Sequence, residues 1–354
     1  MQNPRTKRGR TVRVEDVARE AGVSPITVSR ALNAPDKVRP ETRQRVAAAV
    51  IRTGYVVNSI ASTLKSGRSS IVTVFVANLQ NPHLASAVQG IVDALEGSRL
   101  RLMFVQTGWD GEVTPDIVES IVPFRPAGIV LTGVGSDRPT RKVLLDLDVP
   151  VVEIGERSHP VDMLVQISSF EAGRQMGQHF GQQGFSRIAF CGHTLGHGAE
   201  RLRGFREGLS SFGLEPRLVL PIEGTQTFDD GVASLRRILI GLDGCDAIFY
   251  GSDVLAFGAL MEAGNLGIAV PDALAIAGYG DLDFSKHLKP SLTTINIGNY
   301  DAGRLAGEML RARLDQRALQ HPIANLPARL ETRLSTARSR TAQLPASEDA
   351  SAVQ

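Results

Sequence analysis

Cysteine is nearly missing from this chain, and the two present, Cys191 and Cys245, each sit in an apolar, strand-like run. A disulfide framework is therefore excluded, and buried free thiols in a reducing cytoplasm are the expectation. Neither cysteine has metal-ligand spacing to a histidine, and the seven histidines are dispersed, so no metal site is expected. No stretch of ~20 apolar residues could span a bilayer, and no apolar run near the start resembles a signal peptide. The sequence signatures of enzymes are missing too: no Gly-x-Ser-x-Gly elbow, His-Glu-x-x-His, Walker loop or Gly-x-Gly-x-x-Gly fingerprint. No catalytic residue and no cofactor are implied.

An excess of one charge is also missing, but only in the sum. The chain carries 39 Lys and Arg against 37 Asp and Glu, for a net charge of +2. Through Lys65 the count is 13 basic against 5 acidic, and the remainder holds 26 against 32. A basic front on an acidic body suggests a nucleic-acid-binding head attached to a body that repels phosphate. Residues 1–11 contain Arg5, Lys7, Arg8 and Arg10 and read as a disordered arm adding salt-dependent, sequence-independent affinity.

Residues 12–57 read as a small all-α domain. Val14, Val17, Ala18 and Ala21 repeat at helical spacing, and Gly22 stops the helix because it tolerates the left-handed conformation. Ser24 caps a second helix and Pro25 fits its first position. Val28, Ala31 and Leu32 point back at the first helix, leaving Ile26, Thr27, Ser29, Arg30 and Asn33 outward. A third helix over Val38–Val50 closes the core. This is a helix-turn-helix whose second helix suits the major groove of DNA; an ordinary surface helical hairpin is the plainer alternative.

With Gly54-Tyr55 and Asn58, Ala61 to Leu64, and the frames Asp16-Val17-Ala18, Val23-Ser24 and Thr27-Val28-Ser29-Arg30, the chain resembles the lactose/galactose repressor (LacI/GalR) family of bacterial transcription regulators. The likeness runs over roughly residues 12 to 335. It implies a hinge helix and linker at 58–69, ordered on the operator, with Leu64 wedged into the central minor groove. The chemistry agrees: Asn58 suits the cap of a helix too short to persist alone, and an apolar Leu64 beside Lys65 matches minor-groove wedges. A plain linker is the alternative. The DNA-contact set is then Arg13, Ser24, Pro25, Ile26, Thr27, Ser29, Arg30, Asn33, Tyr55, Asn58, Ala61, Leu64 and Lys65. Pro25 and Ile26 favour apolar readout such as a thymine methyl, and Arg30 suits a guanine or a phosphate.

From about Ser70, β-rich runs alternate with amphipathic helices, which predicts parallel sheets covered on both faces. The runs are 71–77, 100–106, 128–133, 149–155, 164–168, 187–192, 217–222, 247–252, 274–280 and 292–297. Helical patterns include Leu84–Leu95, Glu171–Phe180, Arg203–Ser211 and Tyr300–Arg313. So many strands divide best into two doubly wound parallel-sheet lobes, and the resemblance implies a periplasmic-binding-protein type of body over 70–335. The chain would cross between the lobes three times, near Ser168–Phe170, Gly298–Tyr300 and Leu330–Ser335. The tail, 336–354, reads as disorder. It lacks the leucine heptads that make tetramers in the family, so a homodimer is expected.

Ligands in such folds bind at the carboxyl ends of strands, here between the lobes. Candidates just beyond the strands are Asn81, His83, Trp109, His197, Arg201, Gln226, Ser252 and Gly280. By resemblance Arg201 grips effector hydroxyls or carboxylates, and a planar guanidinium suits an anion; a surface helix charge is the alternative. Trp109, the sole tryptophan, could pack in the core as well as stack on a ligand, and His83 could be a rim residue. Most sugar-binding members have Asp at the Gly280 position. Its loss, with Arg201 kept and His197 added, favours an anionic ligand. The run Ser169 to Met176 also resembles the gluconate-regulator branch. The expectation is a sugar acid such as gluconate or 2-ketogluconate acting as inducer. The alternatives are a neutral sugar, a purine-type corepressor, or a sugar-acid-modifying enzyme fused to a DNA-binding head.

Overall fold

A computed structural model describes residues 12–33, 35–55, 69–108, 111–132, 138–156 and 159–338. The arm 1–11, the hinge residues Asn58, Ala61, Leu64 and Lys65, Trp109 and the tail beyond 338 lie outside those residues. The chain divides into two compact units, one ending at Gly67 and the next starting at Arg68.

The first unit is built from three helices, α1 (Val14–Ala21), α2 (Pro25–Asn33) and α3 (Pro40–Thr53). Asp16 closes the start of α1 by accepting the Arg13 backbone N–H at 3.0 Å, and Gly22 ends it in the left-handed region at φ 63°. Val17, Ala18, Ala21, Val28, Ala31, Val46 and Ala49 form the core, and Tyr55 packs against it. Small residues suffice because helices this short can bury little, so their close approach supplies the contact. Arg45 on α3 donates to the Ala21 carbonyl at 2.7 Å and to that of Gly22 at 3.2 Å, which satisfies the exposed end of α1.

The second unit holds two six-stranded sheets among the described residues. The first contains β1 (Ile71–Val76), β2 (Arg101–Gln106), β3 (Gly128–Thr132), β4 (Val151–Gly155), β5 (Met163–Ile167) and β11 (Ile323–Leu326). Its order is β11-β5-β4-β3-β1-β2, parallel throughout. The second contains β6 (Ile188–Gly192), β7 (Leu218–Pro221), β8 (Ala247–Tyr250), β9 (Ala275–Tyr279), β10 (Thr293–Asn296) and β12 (Arg329–Glu331). Its order is β12-β10-β9-β8-β6-β7, with only β12 antiparallel. All ten expected strands form. The interior ones are continuous apolar runs because helices cover both faces. β11 and β12 were not expected; they are short edge strands, partly exposed along their length, so no apolar run marks them.

Helices α4 (Pro82–Ala94), α5 (Pro115–Ile121), α6 (Arg138–Asp146) and α11 (Asn299–Leu314) flank the first sheet, and α7 (Ser169–Gln182), α8 (His197–Ser210), α9 (Phe228–Gly241) and α10 (Asp253–Asn265) belong to the second. The chain passes between lobes after β5, after β10 and after β11. The third passage is at Pro327–Ala328, earlier than the expected Leu330–Ser335. That segment already belongs to the second lobe, where Leu330 pairs with Ile295 and Ser335 Oγ donates to the Ile276 carbonyl at 2.6 Å. The start of the expected disordered tail is corrected likewise. Thr336 is fully buried, with Oγ1 2.7 Å from His179 Nε2 and 2.8 Å from Thr293 Oγ1. Arg338 lies over the Phe185 ring at 4.3 Å. A polar, alanine-rich sequence hid these residues because hydroxyls can be buried once paired. Cys191 and Cys245 are both buried and unpaired, and burial pushes each thiol up to about 12.

Helix pairs approach closely through glycine. A Cβ on Gly204 of α8 would collide with the Phe170 carbonyl of α7, and one on Gly173 of α7 would collide with the Arg201 carbonyl. This contact sets the backbone that carries Arg201. Gly204→Ala should therefore cost about 1–3 kcal/mol by overpacking. Urea unfolding would measure it, and an unchanged midpoint would show that the two helices separate freely.

Candidate functional site

On the first unit, α2 turns a small polar and apolar face to solvent. Ile26 is 65% exposed, and Ser24, Pro25, Ser29 and Arg30 are also exposed. Ser24 and Thr27 share their hydroxyls at 2.9 Å, and Ser24 Oγ accepts the Thr27 N–H at 3.2 Å, capping the helix. Arg13 is exposed at the start of α1. Tyr55 is half-buried against the core, so its aromatic body serves packing. The side chain of Asn33 lies outside the described set.

On the second unit, a cavity of about 530 Å³ opens between the lobes. Asn81, His83, His197 and Arg201 line it, as expected from the sequence. Asn78, Ser169, His193, Tyr279 and Asn299 line it as well and were not singled out. Asn78 lies two residues past β1, His193 follows β6 directly, and Asn299 lies within the second expected crossing, so the strand-end rule could have reached all three. Tyr279, the last residue of β9, had no such signal: only its contact with Arg201 reveals a role.

Gln226, Ser252 and Gly280 do not line the cavity. Ser252 is buried as the cap of α10, its Oγ accepting the Leu255 N–H at 3.4 Å. Gln226 Nε2 is buried with no hydrogen-bond partner. At Gly280 the His83 ring occupies the space a side chain would take.

Arg201 is the centre of the site. It is 7% exposed, its Nη1 donates to the Gly251 carbonyl at 2.7 Å, and its guanidinium lies 3.5 Å from the Tyr279 ring centroid. Nε is buried and donates to nothing, and no carboxylate pairs with the guanidinium among the described residues. Burying a cation is costly unless it is paired, and a ring face with one carbonyl offsets only part of that cost. The acidic lining residues, Glu112 and Glu223, are exposed.

Four helices begin at this cavity. Asn81 caps α4 by accepting the His83 N–H at 3.0 Å. Ser169, His197 and Asn299 are the first residues of α7, α8 and α11. Helix N-termini present unsatisfied N–H groups and a partial positive charge, so their convergence favours an anion. The His83 imidazole adds a donor without adding charge. Burial, helped by the Arg201 guanidinium, lowers His83 to about 4. Burial also lowers His193, against its bond to the Gly224 carbonyl. Asn78 Nδ2 donates across the cleft to Thr225 Oγ1 at 2.8 Å. Among the described residues, no group of His, Cys, Asp and Glu could hold a metal ion.

A three-helix DNA-reading unit followed by a two-lobed ligand cleft defines a transcription regulator governed by a small molecule. Residues 13–58 match the family described as bacterial regulatory proteins, lacI family, and 178–336 match a periplasmic binding protein-like domain. The HTH-type transcriptional regulator CelR of Thermobifida fusca is 32% identical over 321 residues, 88% of this chain and 93% of that protein. The HTH-type transcriptional regulator GntR of Escherichia coli K12 is 29% identical over 303 residues, 85% of this chain and 91% of that protein. A LacI-family regulator from Silicibacter pomeroyi superposes with a TM-score of 0.84 at 29% identity, covering 92% of this chain and all, 100%, of that one. The chain belongs to the LacI family of DNA-binding transcriptional regulators, with an effector-binding body.

The buried histidines carry a pH dependence. Above about pH 6.5 folded and unfolded chains both hold neutral imidazole. Between about 6.5 and 4 the unfolded chain takes the proton first, so stability falls as pH falls through that window. His179, lowered to about 4 by burial, shares this behaviour with His83. His179→Gln, which keeps a polar partner for Thr336, should make the urea midpoint less dependent on pH between 7 and 5. An unaltered slope would rule out the contribution.

Proposed function

We propose that this regulator is a cytoplasmic repressor that binds a palindromic operator as a homodimer and is induced by a sugar acid such as gluconate or 2-ketogluconate. The observation that carries the ligand class is the buried Arg201 guanidinium, unpaired by any carboxylate among the described residues and ringed by helix N-termini. A carboxylate would supply the missing counter-charge, and its hydroxyl-bearing chain would meet the Asn78, Asn81 and Asn299 amides. A neutral sugar is the second reading, supported by the exposed Glu112 and Glu223 carboxylates at the cavity, which could accept from hydroxyls. A solved CelR–cellobiose complex, 30% identical with a TM-score of 0.64, covers 92% of this chain and 99% of that one.

Several features support the rest of the reading. The exposed Ile26 and Arg30 on α2 suit a thymine methyl and a guanine or phosphate. Phe284 is 49% exposed and packs tilted on Phe257 with ring centroids 4.1 Å apart, and Met261, one turn beyond Phe257 on α10, is 59% exposed. Such an apolar face suits contact with a second copy. The lac repressor dimer on its operator, 23% identical with a TM-score of 0.76, shares the fold; it covers 92% of this chain and 99% of that one. Paired hinge segments would wedge Leu64 into the minor groove, and effector closure of the lobes would break that pairing. A coupling of about 1–3 kcal/mol is sufficient.

Two measurements test this. Arg201→Ala should abolish the ligand response of operator binding in fluorescence anisotropy while leaving operator affinity intact. Loss of both would assign Arg201 a folding role instead. Leu64→Ala should weaken operator binding more than binding to a random duplex, and equal losses would count against the wedge.

A further inference from the structure

The cavity wall beside Arg201 is made by one contact between the lobes. His83, in the first turn of α4, lies on the backbone of Gly280, just beyond β9 in the other lobe. A Cβ at 280 would overlap the ring, its nearest atoms being Cε1, Nδ1 and Nε2 of His83. Gly280 also holds φ at 120°, a conformation that side-chain-bearing residues rarely adopt. Asn299, at the start of α11, joins the pair: its Nδ2 lies 3.3 Å from the Gly280 carbonyl oxygen and 3.5 Å from His83 Nδ1. With an amide donor facing Nδ1, the proton of the neutral ring belongs on Nε2.

That Nε2 is closed to solvent and has no hydrogen-bond partner, as is Nε of Arg201. The lining of one cavity thus holds two buried donors without acceptors, in a class of atom that proteins nearly always satisfy. An anionic oxygen is the acceptor that suits both. Donors to a charged oxygen form stronger bonds than donors to a hydroxyl, so the cluster discriminates by charge.

We propose that His83, seated on Gly280, is a specificity-determining residue that selects a carboxylate-bearing ligand at Arg201. The ring does so in two ways. It adds a donor beside the guanidinium, and it fills the place from which a side chain at 280 would reach the ligand. Burial and the nearby guanidinium keep the imidazole neutral near pH 7, so it adds this donor without repelling Arg201. The inference rests on the sugar-acid reading above and names the residue pair that would enforce it.

Isothermal titration of the full chain with gluconate and with glucose tests the pair, using wild type, His83→Ala, His83→Gln, Gly280→Ala and the double variant His83→Ala/Gly280→Ala. His83→Ala should weaken gluconate binding about tenfold or more, the scale of a lost charge-assisted hydrogen bond. Glucose binding should change little. His83→Gln, which restores an N–H donor, should recover part of the loss. Gly280→Ala should match His83→Ala because the added Cβ expels the ring, and the double variant should bind no worse than either single. Thermal unfolding supplies a second readout. The strain of the Gly280 backbone is common to both chains, so the double variant should melt no lower than Gly280→Ala once the overlap is gone. Undiminished gluconate affinity in His83→Ala, or losses that multiply in the double variant, overturns the proposal and leaves the sugar-acid reading standing. Wild type that takes glucose but neither gluconate nor 2-ketogluconate overturns the sugar-acid reading itself.

Discussion

A single buried cation sets the character of the cleft. The Arg201 guanidinium leans on the Tyr279 ring and one backbone carbonyl, and the carboxylates at the cavity stay exposed. Neither contact neutralises its charge, so the surrounding structure must tolerate an excess of positive potential in a low-dielectric place. The neighbours reflect this. His83 and His193 are held toward their neutral forms, and four helices direct their N-termini at the same cavity. At 280 the lack of a side chain leaves room for the His83 ring.

The lobes that enclose this cavity are built as rigid pieces. Interior strands run parallel with both faces covered, and glycines let α7 and α8 meet at backbone distance. Polar contacts cross the cleft: the Asn78–Thr225 hydrogen bond, and the group of His83, Gly280 and Asn299. Three chain passages also join the lobes, and one apolar cluster holds residues of both, Val76 and Ile91 of the first with Tyr279 and Ile295 of the second. A ligand bound in the cavity would touch both lobes, since residues of each line it. That link joins the chemistry of the cavity to the regulation of DNA binding expected of this family.

Much of this was legible in the chain itself, for reasons that differ by element. The reading helix was readable because Gly22, Ser24 and Pro25 each have one local task, and local tasks leave local marks. The ten expected strands were readable because burial on both faces demands unbroken apolar runs. β11 and β12 left no such run because each is a short, partly exposed edge strand. Thr336 was read as tail for a related reason: its burial depends on His179 and Thr293, 157 and 43 residues away. Arg201, His197, Asn81 and His83 were found by their positions after strands. Tyr279 was passed over because its role consists of a contact with a residue far away in sequence.

The order of residues alone determined the class of protein: a basic helical head, an alternating α/β body, and an arginine placed where such bodies hold ligands. Periodicity, capping and charge are properties of neighbours along the chain, so they survive without coordinates. Only the tertiary structure decided that His83 rests against Gly280, that Ser252 caps a helix away from the cavity wall, and that no carboxylate among the described residues pairs with Arg201. Each of these depends on which distant groups share a small volume, and burial turns that proximity into chemistry.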